Sequence, residues 1–243
     1  MPRARQIIAF GGGGFSMEAG NALLDHYVLE ATGRPKPKVC FLPTASGDAD
    51  HYVVRFYRAF PAARCEPSHL SLFRRDCGVA GDLRASLLDQ DLIYVGGGSV
   101  VSLLGVWRAH GLDAVLREAW QAGVVLCGLS AGSLCWFAEG VSAFHGEPCR
   151  VGGLGLLPGS NAVHYGPGRR ERFHAELQAG MADGHGCEDG AALHFVGTDL
   201  ARVICSRPQA QAYAVRCREG MVVEEPCPAH YLGATAAPAV QAA

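Results

Sequence analysis

The pentapeptide Gly128–Gly132, which reads Gly-Leu-Ser-Ala-Gly, follows directly on an apolar run at Val124–Cys127. A buried strand that runs into G-x-S-x-G and then into a helix is the arrangement of a nucleophile elbow, a sharp turn that strains the serine backbone and exposes its hydroxyl above the sheet edge. The segment Ser133–Ala138 is predicted to continue as that helix. Because the N–H groups after the serine point into the same space, the pattern predicts a nucleophile, Ser130, beside part of an oxyanion site.

Strand-like and helix-like segments alternate through the first 140 residues. Strands are predicted at Gln6–Phe10, Lys38–Leu42, Cys65–Leu72, Asp91–Val95 and Val124–Leu129. Helices are predicted at Met17–Thr32, Asp50–Phe60, Asp82–Leu88, Val100–Gly111 and Leu112–Gln121. This order predicts an α/β fold with a doubly wound, mostly parallel sheet. Glycine-rich loops at 11–14, 96–98 and 128–132 all follow strands, so they are expected to converge at the carboxyl edge, where such sheets bind ligands.

The pattern changes after residue 140. A long loop with little regular structure is predicted over 143–168, followed by a helix at Arg169–Gly180. Short antiparallel strands are predicted at Ala191–Val196, Arg202–Ser206, Ala212–Arg216 and Met221–Val223. No linker or repeat divides the chain, so we expect a single domain over 1–232 and a disordered tail over 233–243.

Composition excludes several classes of function. The chain has 243 residues, 49% of them hydrophobic, and a net charge of −2, so neither a nucleic-acid surface nor a membrane span is expected. Ten cysteines at irregular spacing, with no C-x-x-C, no H-E-x-x-H and no signal peptide, favour reduced thiols in the cytoplasm and no metal site or other cofactor. The loop Gly11–Gly14 fits neither a dinucleotide fingerprint nor a P-loop.

A small basic cluster at Arg169, Arg170 and Arg172 is interpreted as the solvated start of a helix.

A serine hydroxyl needs a base, and histidine is the usual one near neutral pH. Of the ten histidines, His164 lies in a loop downstream of the elbow and is the best candidate, with His145 second. A carboxylate should then orient the imidazole. Glu188 and Asp189 precede a predicted strand, but spacing alone favours a turn with solvated carboxylates.

Three motifs, Gly96–Ser99, Gly128–Gly132 and Asn161–Tyr165, resemble in order and spacing the peptidase E family of aspartyl dipeptidase-like serine peptidases, which includes the cyanophycinases. The likeness extends from about Gln6 to Val223. It implies a flavodoxin-like three-layer sandwich, similar to class I glutamine amidotransferases. It also implies a serine hydrolase that cleaves small peptides through an acyl-enzyme, acting as a monomer or homodimer.

The resemblance also implies roles for individual residues. Ser130 would be the nucleophile, His164 the base and Asp189 the acidic member of the triad, while the N–H groups of Gly98 and Ala131 would form the oxyanion hole. Neighbouring motif residues are expected to contact the substrate, namely Gly97, Ser99, Asn161 and Tyr165.

Two departures limit what the resemblance implies. Ser99 stands where the family commonly has Asn, and Val141–His145 lacks the acidic residue that the aspartyl dipeptidases carry, so a preference for N-terminal Asp does not follow. Two alternatives stay open. One is a non-peptidase amidohydrolase or amidotransferase-like enzyme on the same fold, although those enzymes use Cys at the elbow. The other is a catalytically silent ligand-binding member.

Overall fold

A computed structural model of the chain describes residues 3–73 and 82–233. The strands of these residues are β1 (Gln6–Phe10), β2 (Lys38–Leu42), β3 (Glu66–His69), β4 (Leu92–Val95), β5 (Val125–Leu129), β6 (Phe137–Ser142), β7 (Cys149–Gly152), β8 (Leu157–Val163), β9 (Gly184–Cys187), β10 (Ala191–Val196), β11 (Asp199–Cys205), β12 (Ala212–Arg218), β13 (Met221–Cys227) and β14 (Ala229–Tyr231). The helices are α1 (Gly14–Met17), α2 (Leu23–Ala31), α3 (Asp50–Ala59), α4 (Leu83–Leu88), α5 (Val100–Ala109), α6 (Leu112–Gln121), α7 (Ala131–Leu134) and α8 (Pro167–Gln178).

The central sheet has eight strands in the order β14-β11-β10-β1-β5-β4-β2-β3. The five strands from β1 to β3 in this order are parallel, and β10 joins β1 in the antiparallel sense. Successive residues of β1 face opposite sides: Ile7 packs with the tryptophans of α5 and α6, and Ile8 packs with the aromatic residues of α3. Helices therefore cover both faces of the sheet, which confirms the predicted α/β class and the mostly parallel, doubly wound sheet.

A second sheet of six strands, in the order β13-β12-β9-β8-β6-β7, was not predicted. The loop expected over 143–168 was wrong, because it contains β7 and β8. Glycines in β8 and in the neighbouring strand β9 permit close strand packing. A Cβ on Gly159 would lie 2.6 Å from the Asp183 carbonyl oxygen, and one on Gly184 would lie 2.0 Å from that of Ser160. Glycine in a strand often marks such an approach of another backbone.

Several element boundaries also differ from the predictions. The helix expected after Ser130 is only one turn long, because the chain enters β6 at Phe137. The helix predicted over Met17–Thr32 begins only at Leu23, as α2, whereas α1 lies almost entirely before the predicted start. Strands β9 and β14 were missed. From residue 234 onward the predicted tail lies outside the described residues. Within residues 3–73 and 82–233, no helix has the length and apolarity to cross a bilayer.

Candidate active site

Ser130 occupies the turn between β5 and α7 with φ 53° and ψ −114°, a combination that L-residues rarely adopt. Small flanking residues make this turn possible. A Cβ on Gly128 would lie 2.3 Å from the Gly132 carbonyl oxygen, and one on Gly132 would lie 2.3 Å from that of Val95. Any larger residue at either glycine would collide with backbone, so the local sequence is matched to a strained turn that exposes the hydroxyl.

His164 follows the end of β8, and it also has a positive φ, of 51°. Its Nδ1 lies 2.5 Å from Oδ1 of Asp189. Because an ionised carboxylate only accepts hydrogen bonds, Nδ1 carries the proton and Nε2 is left as the basic nitrogen. The hydrogen bond from His164 is the main cause that lowers the pKa of Asp189, against the opposing effect of burial. Glu188 is directed elsewhere, where its carboxylate accepts the Gln211 N–H at 3.0 Å.

Ser130 and His164 both line a cavity of about 240 Å³, together with Gly98, Ala131, Phe144 and Arg169. Among the described residues, the Ser130 hydroxyl and the imidazole share this space without a direct hydrogen bond. Hydrogen bonds between a nucleophile and its base are often long in the absence of substrate and shorten when it binds.

The backbone N–H groups of Gly98 and Ala131, two residues that line the cavity with Ser130, have no acceptor among the described residues. The neighbouring N–H of Gly97 donates to the Tyr52 hydroxyl at 3.1 Å, and that of Ser99 donates to the Ala45 carbonyl at 2.8 Å. Gly98 has φ 140°, and a Cβ there would lie 2.1 Å from the same Ala45 oxygen. The two unoccupied donors therefore border the cavity, and Gly98 is required at its position.

Not all residues expected at the substrate reach the cavity. Asn161 is fully buried, and its side-chain amide donates to Ser133 Oγ at 3.0 Å. Tyr165 is also buried, with its hydroxyl on Glu224. Gly97 lies close to Ser130, since a Cβ there would be 3.4 Å from the serine Cβ. Ser99 Oγ is hydrogen-bonded at 2.8 Å to His145, the second histidine candidate.

Arg169 lines the cavity but was not predicted there, since the basic cluster was interpreted as a solvated helix start. Its Nη1 is buried and has no hydrogen-bond partner in the described structure. Burial lowers the pKa of this guanidinium. Its place five residues after His164, across a Gly-Pro-Gly turn, was the available signal in the sequence.

Cys127 and Cys135, the thiols nearest the elbow in sequence, are fully buried. Burial raises the pKa of both well above the usual range of a thiol. Neither thiol lines the cavity, whereas Ser130 does.

Comparison with known proteins identifies the family. The model of peptidase family S51 matches residues 7–203. An uncharacterized peptidase of Bacillus subtilis strain 168, YgaJ, is 47% identical over 232 residues, which are 94% of this chain and 100% of the relative. Peptidase E of Streptomyces coelicolor is 27% identical over 198 residues, 75% of this chain and 78% of the relative. The crystal structure of a peptidase from an acI-B1 actinobacterium shares the fold, with a TM-score of 0.69 at 18% identity over 94% of this chain and 96% of that one. The chain therefore belongs to peptidase family S51, the peptidase E family, and is a peptidase.

Proposed function

We propose that this peptidase is of the serine type and cleaves small peptides through an acyl-enzyme formed on Ser130. The observation that carries the proposal is the meeting of Ser130 and His164 in one cavity, with Asp189 bonded to the far nitrogen of the imidazole. Nucleophile, base and orienting carboxylate in this relation form the triad of acyl-transfer enzymes.

In the proposed reaction, His164 Nε2 takes the proton of the Ser130 hydroxyl while the serine oxygen bonds to the carbonyl carbon of the peptide. The N–H groups of Gly98 and Ala131 receive the negative charge that develops on the carbonyl oxygen. Loss of one such donor typically costs ~10²–10³ in turnover. The imidazolium, which Asp189 stabilises, then protonates the leaving amine as the C–N bond breaks. Water, deprotonated by the same imidazole, then bonds to the acyl carbon. As the ester bond to Ser130 breaks, the imidazolium returns the proton to the serine oxygen, which releases the acid and restores the serine.

The cavity also supports a substrate class. Its volume of about 240 Å³ is suited to a short peptide rather than a folded chain. The buried, unpartnered Nη1 of Arg169 supports binding of a substrate carboxylate, because a guanidinium pairs with a carboxylate through two parallel hydrogen bonds. We propose short peptides that carry a carboxylate near the scissile bond, either on a side chain or at the C-terminus.

Labelling and turnover test the catalytic role of Ser130. A fluorophosphonate should add to Ser130 in the wild-type protein, located by mass spectrometry of the digested adduct. Ser130→Ala should lose the label and reduce dipeptide hydrolysis by at least about 10³-fold. Ser86→Ala on α4 removes a hydroxyl that does not line the cavity and is the matched control. It should keep both the fluorophosphonate labelling and the dipeptide hydrolysis. Hydrolysis that survives Ser130→Ala would rule out the acyl-enzyme.

Other outcomes distinguish the alternatives. Labelling of Ser130 without cleavage of any dipeptide would indicate a non-peptide amide or ester as substrate. If a folded protein shows neither labelling of Ser130 nor cleavage of any dipeptide, it is a catalytically silent ligand-binding member.

We also propose a cytoplasmic location. All nine cysteines of the described residues are free, and most of them are buried. Unpaired thiols in this number are typical of a reducing compartment.

A further inference from the structure

The glycine-rich loop Gly11–Gly14 lies directly against the His164–Asp189 pair. The Gly11 carbonyl accepts the N–H of His164 at 3.0 Å, and the Gly12 carbonyl accepts that of Gly190 at 2.9 Å. A Cβ on Gly12 would lie 2.1 Å from Asp189 Oδ1 and 2.9 Å from His164 Nδ1. The loop therefore holds the backbone at both members of the pair and leaves no room between itself and their side chains.

Glu18, just after α1, is the buried charge that holds the far end of this loop. It is 8% exposed. Its Oε2 accepts the Gly14 N–H at 3.2 Å and the Ser206 hydroxyl at 2.7 Å. Its Oε1 accepts Nε of Arg207 at 2.6 Å, which completes an ion pair. A carboxylate is buried at low cost only when it is paired and hydrogen-bonded in this way.

The same carboxylate is connected to the other side of the pair through the turn after β11. The Ser206 N–H donates to the Gly190 carbonyl at 2.8 Å, one residue after Asp189. The Arg207 side chain packs on Gly190, where a Cβ would lie 3.0 Å from its Cγ and Cδ. After the hydrogen bond from His164, the charge of Arg207 is a further favourable cause of the lowered pKa of Asp189. Contacts from Glu18 thus reach the catalytic pair both through the glycine-rich loop and through the residues that follow Asp189.

We propose that Glu18 is a positioning residue for the His164–Asp189 pair, acting through the glycine-rich loop and the Ser206–Arg207 turn. The inference rests on the proposed serine-peptidase function. Glu18 does not line the cavity that contains Ser130, so it acts on the geometry of the base and not on substrate contacts. A displacement of about 1 Å in a catalytic group can reduce the rate ~10²-fold.

The test is Glu18→Gln, which preserves side-chain size but removes the charge and presents an NH₂ group to donors. We expect kcat to fall about 10- to 100-fold per folded molecule while KM stays within about twofold. The rate of fluorophosphonate labelling of Ser130 should fall in parallel, because it depends on the same imidazole. Glu30→Gln, an exposed carboxylate on α2, is the matched control and should leave kcat, KM and labelling unchanged.

Two further variants separate positioning from a general loss of structure. Ser206→Ala changes no charge but removes the hydroxyl that contacts both Glu18, at 2.7 Å, and the Gly190 carbonyl, at 3.2 Å. It should lower kcat about threefold to tenfold without changing KM. Arg207→Met should lower kcat as Glu18→Gln does, and the double variant should be no worse than either single one, because the residues act as a unit. If kcat per folded molecule is unchanged in Glu18→Gln, if KM alone rises, or if the double variant is fully additive, Glu18 is not a positioning residue.

Failure of this inference is distinguishable from failure of the proposed function. If the wild-type protein is active, Ser130→Ala is inactive and Glu18→Gln equals wild type, only the role of Glu18 is wrong. If the wild-type protein labels at Ser130 but cleaves no peptide, the labelling rates of the variants still decide the role of Glu18. If Ser130 does not label at all, both proposals are overturned.

Discussion

At the scale of single residues, backbone strain is concentrated where the cavity lies. Four non-glycine residues of the described chain have positive φ: Asp48, Ser130, His164 and Glu219. Two of the four, Ser130 and His164, line the cavity. Such conformations cost ~1–3 kcal/mol each and persist only where surrounding contacts enforce them. Here the glycines of the elbow enforce one, and the hydrogen bond from His164 to the Gly11 carbonyl supports the other.

Arg169→Met is the prediction at this scale. It removes the charge that lines the cavity but keeps an apolar side chain of similar length. We expect KM for Asp-Leu to rise at least about tenfold, because a buried charged hydrogen bond is lost, with a smaller change in kcat. A panel of Asp-Leu, Ala-Leu and their C-terminal amides measures which carboxylate Arg169 contacts, since the substrate that lacks it should be insensitive to the substitution.

Arg172→Met, on the same helix but paired at the surface with Glu176, is the control for that substitution. It should behave as wild type on every member of the panel. If KM in Arg169→Met rises equally for all four substrates, including the amide of Ala-Leu, Arg169 does not bind a substrate carboxylate.

At the scale of elements, the β6–β7 hairpin forms one wall of the cavity. The strands pair as far as Ser142 and Cys149, and the connecting loop carries Phe144, which lines the cavity and is 58% exposed. The next residue, His145, is hydrogen-bonded at 2.8 Å to Ser99, whose hydroxyl also caps α5. This contact joins the hairpin to the residue that follows Gly98, so one hydrogen bond connects two walls of the cavity.

His145→Ala should loosen the hairpin. We expect KM for dipeptides to rise about threefold to tenfold, as one hydrogen bond is worth roughly 1 kcal/mol, with kcat less affected. Limited proteolysis should cleave faster within 143–148. His110→Ala, an exposed histidine at the other end of α5, is the control. Unchanged KM and unchanged cleavage in His145→Ala would show that the contact does not hold the hairpin.

At the scale of the whole molecule, the central sheet separates two apolar clusters, and a carboxyl lies beside one of them. Asp25 is 2% exposed, and its Oδ1 receives a 3.4 Å hydrogen bond from the Tyr94 hydroxyl. Burial raises its pKa from 3.8 to about 7. The folded protein therefore holds this proton more tightly than the unfolded chain, and stability decreases as pH rises from about 4 to about 7.

Asp25→Asn should remove this pH dependence. The difference in unfolding free energy between variant and wild type should shift in favour of the variant between pH 4 and pH 8, by on the order of 4 kcal/mol. Urea unfolding at the two pH values measures it, with Asp199→Asn, at an exposed carboxyl, as the control variant. A constant difference for Asp25→Asn would mean that the carboxyl is ionised throughout.

The parallel half of the fold was predictable because its signals are local. Strands β1, β2, β4 and β5 are short apolar runs, and each is followed by a glycine or proline or runs into the glycine-containing turn at Ser130. Strand β3, which reads Glu-Pro-Ser-His, lacks this signal. The six-stranded sheet was not predictable in this way, since β8 and β9 are built on small residues that only a neighbouring backbone explains. Pattern reasoning assigns such glycines to loops because it cannot observe what lies across from them.

The candidate site likewise has parts that the local sequence predicts and parts that depend on distant residues. The sequence alone predicts the strained turn at Ser130, because such a turn needs particular small residues next to each other. It also restricts the proposed base to a few histidines. Which carboxylate meets His164, and that Arg169 faces the cavity, only the tertiary structure decided. The contacts that connect Glu18 to the His164–Asp189 pair also become visible only in the tertiary structure. Glu18 and its partner Arg207 are nearly 190 residues apart in sequence. The physical reason is that turn geometry depends on adjacent residues, whereas hydrogen bonds between side chains depend on which distant segments the fold brings within about 3 Å of each other.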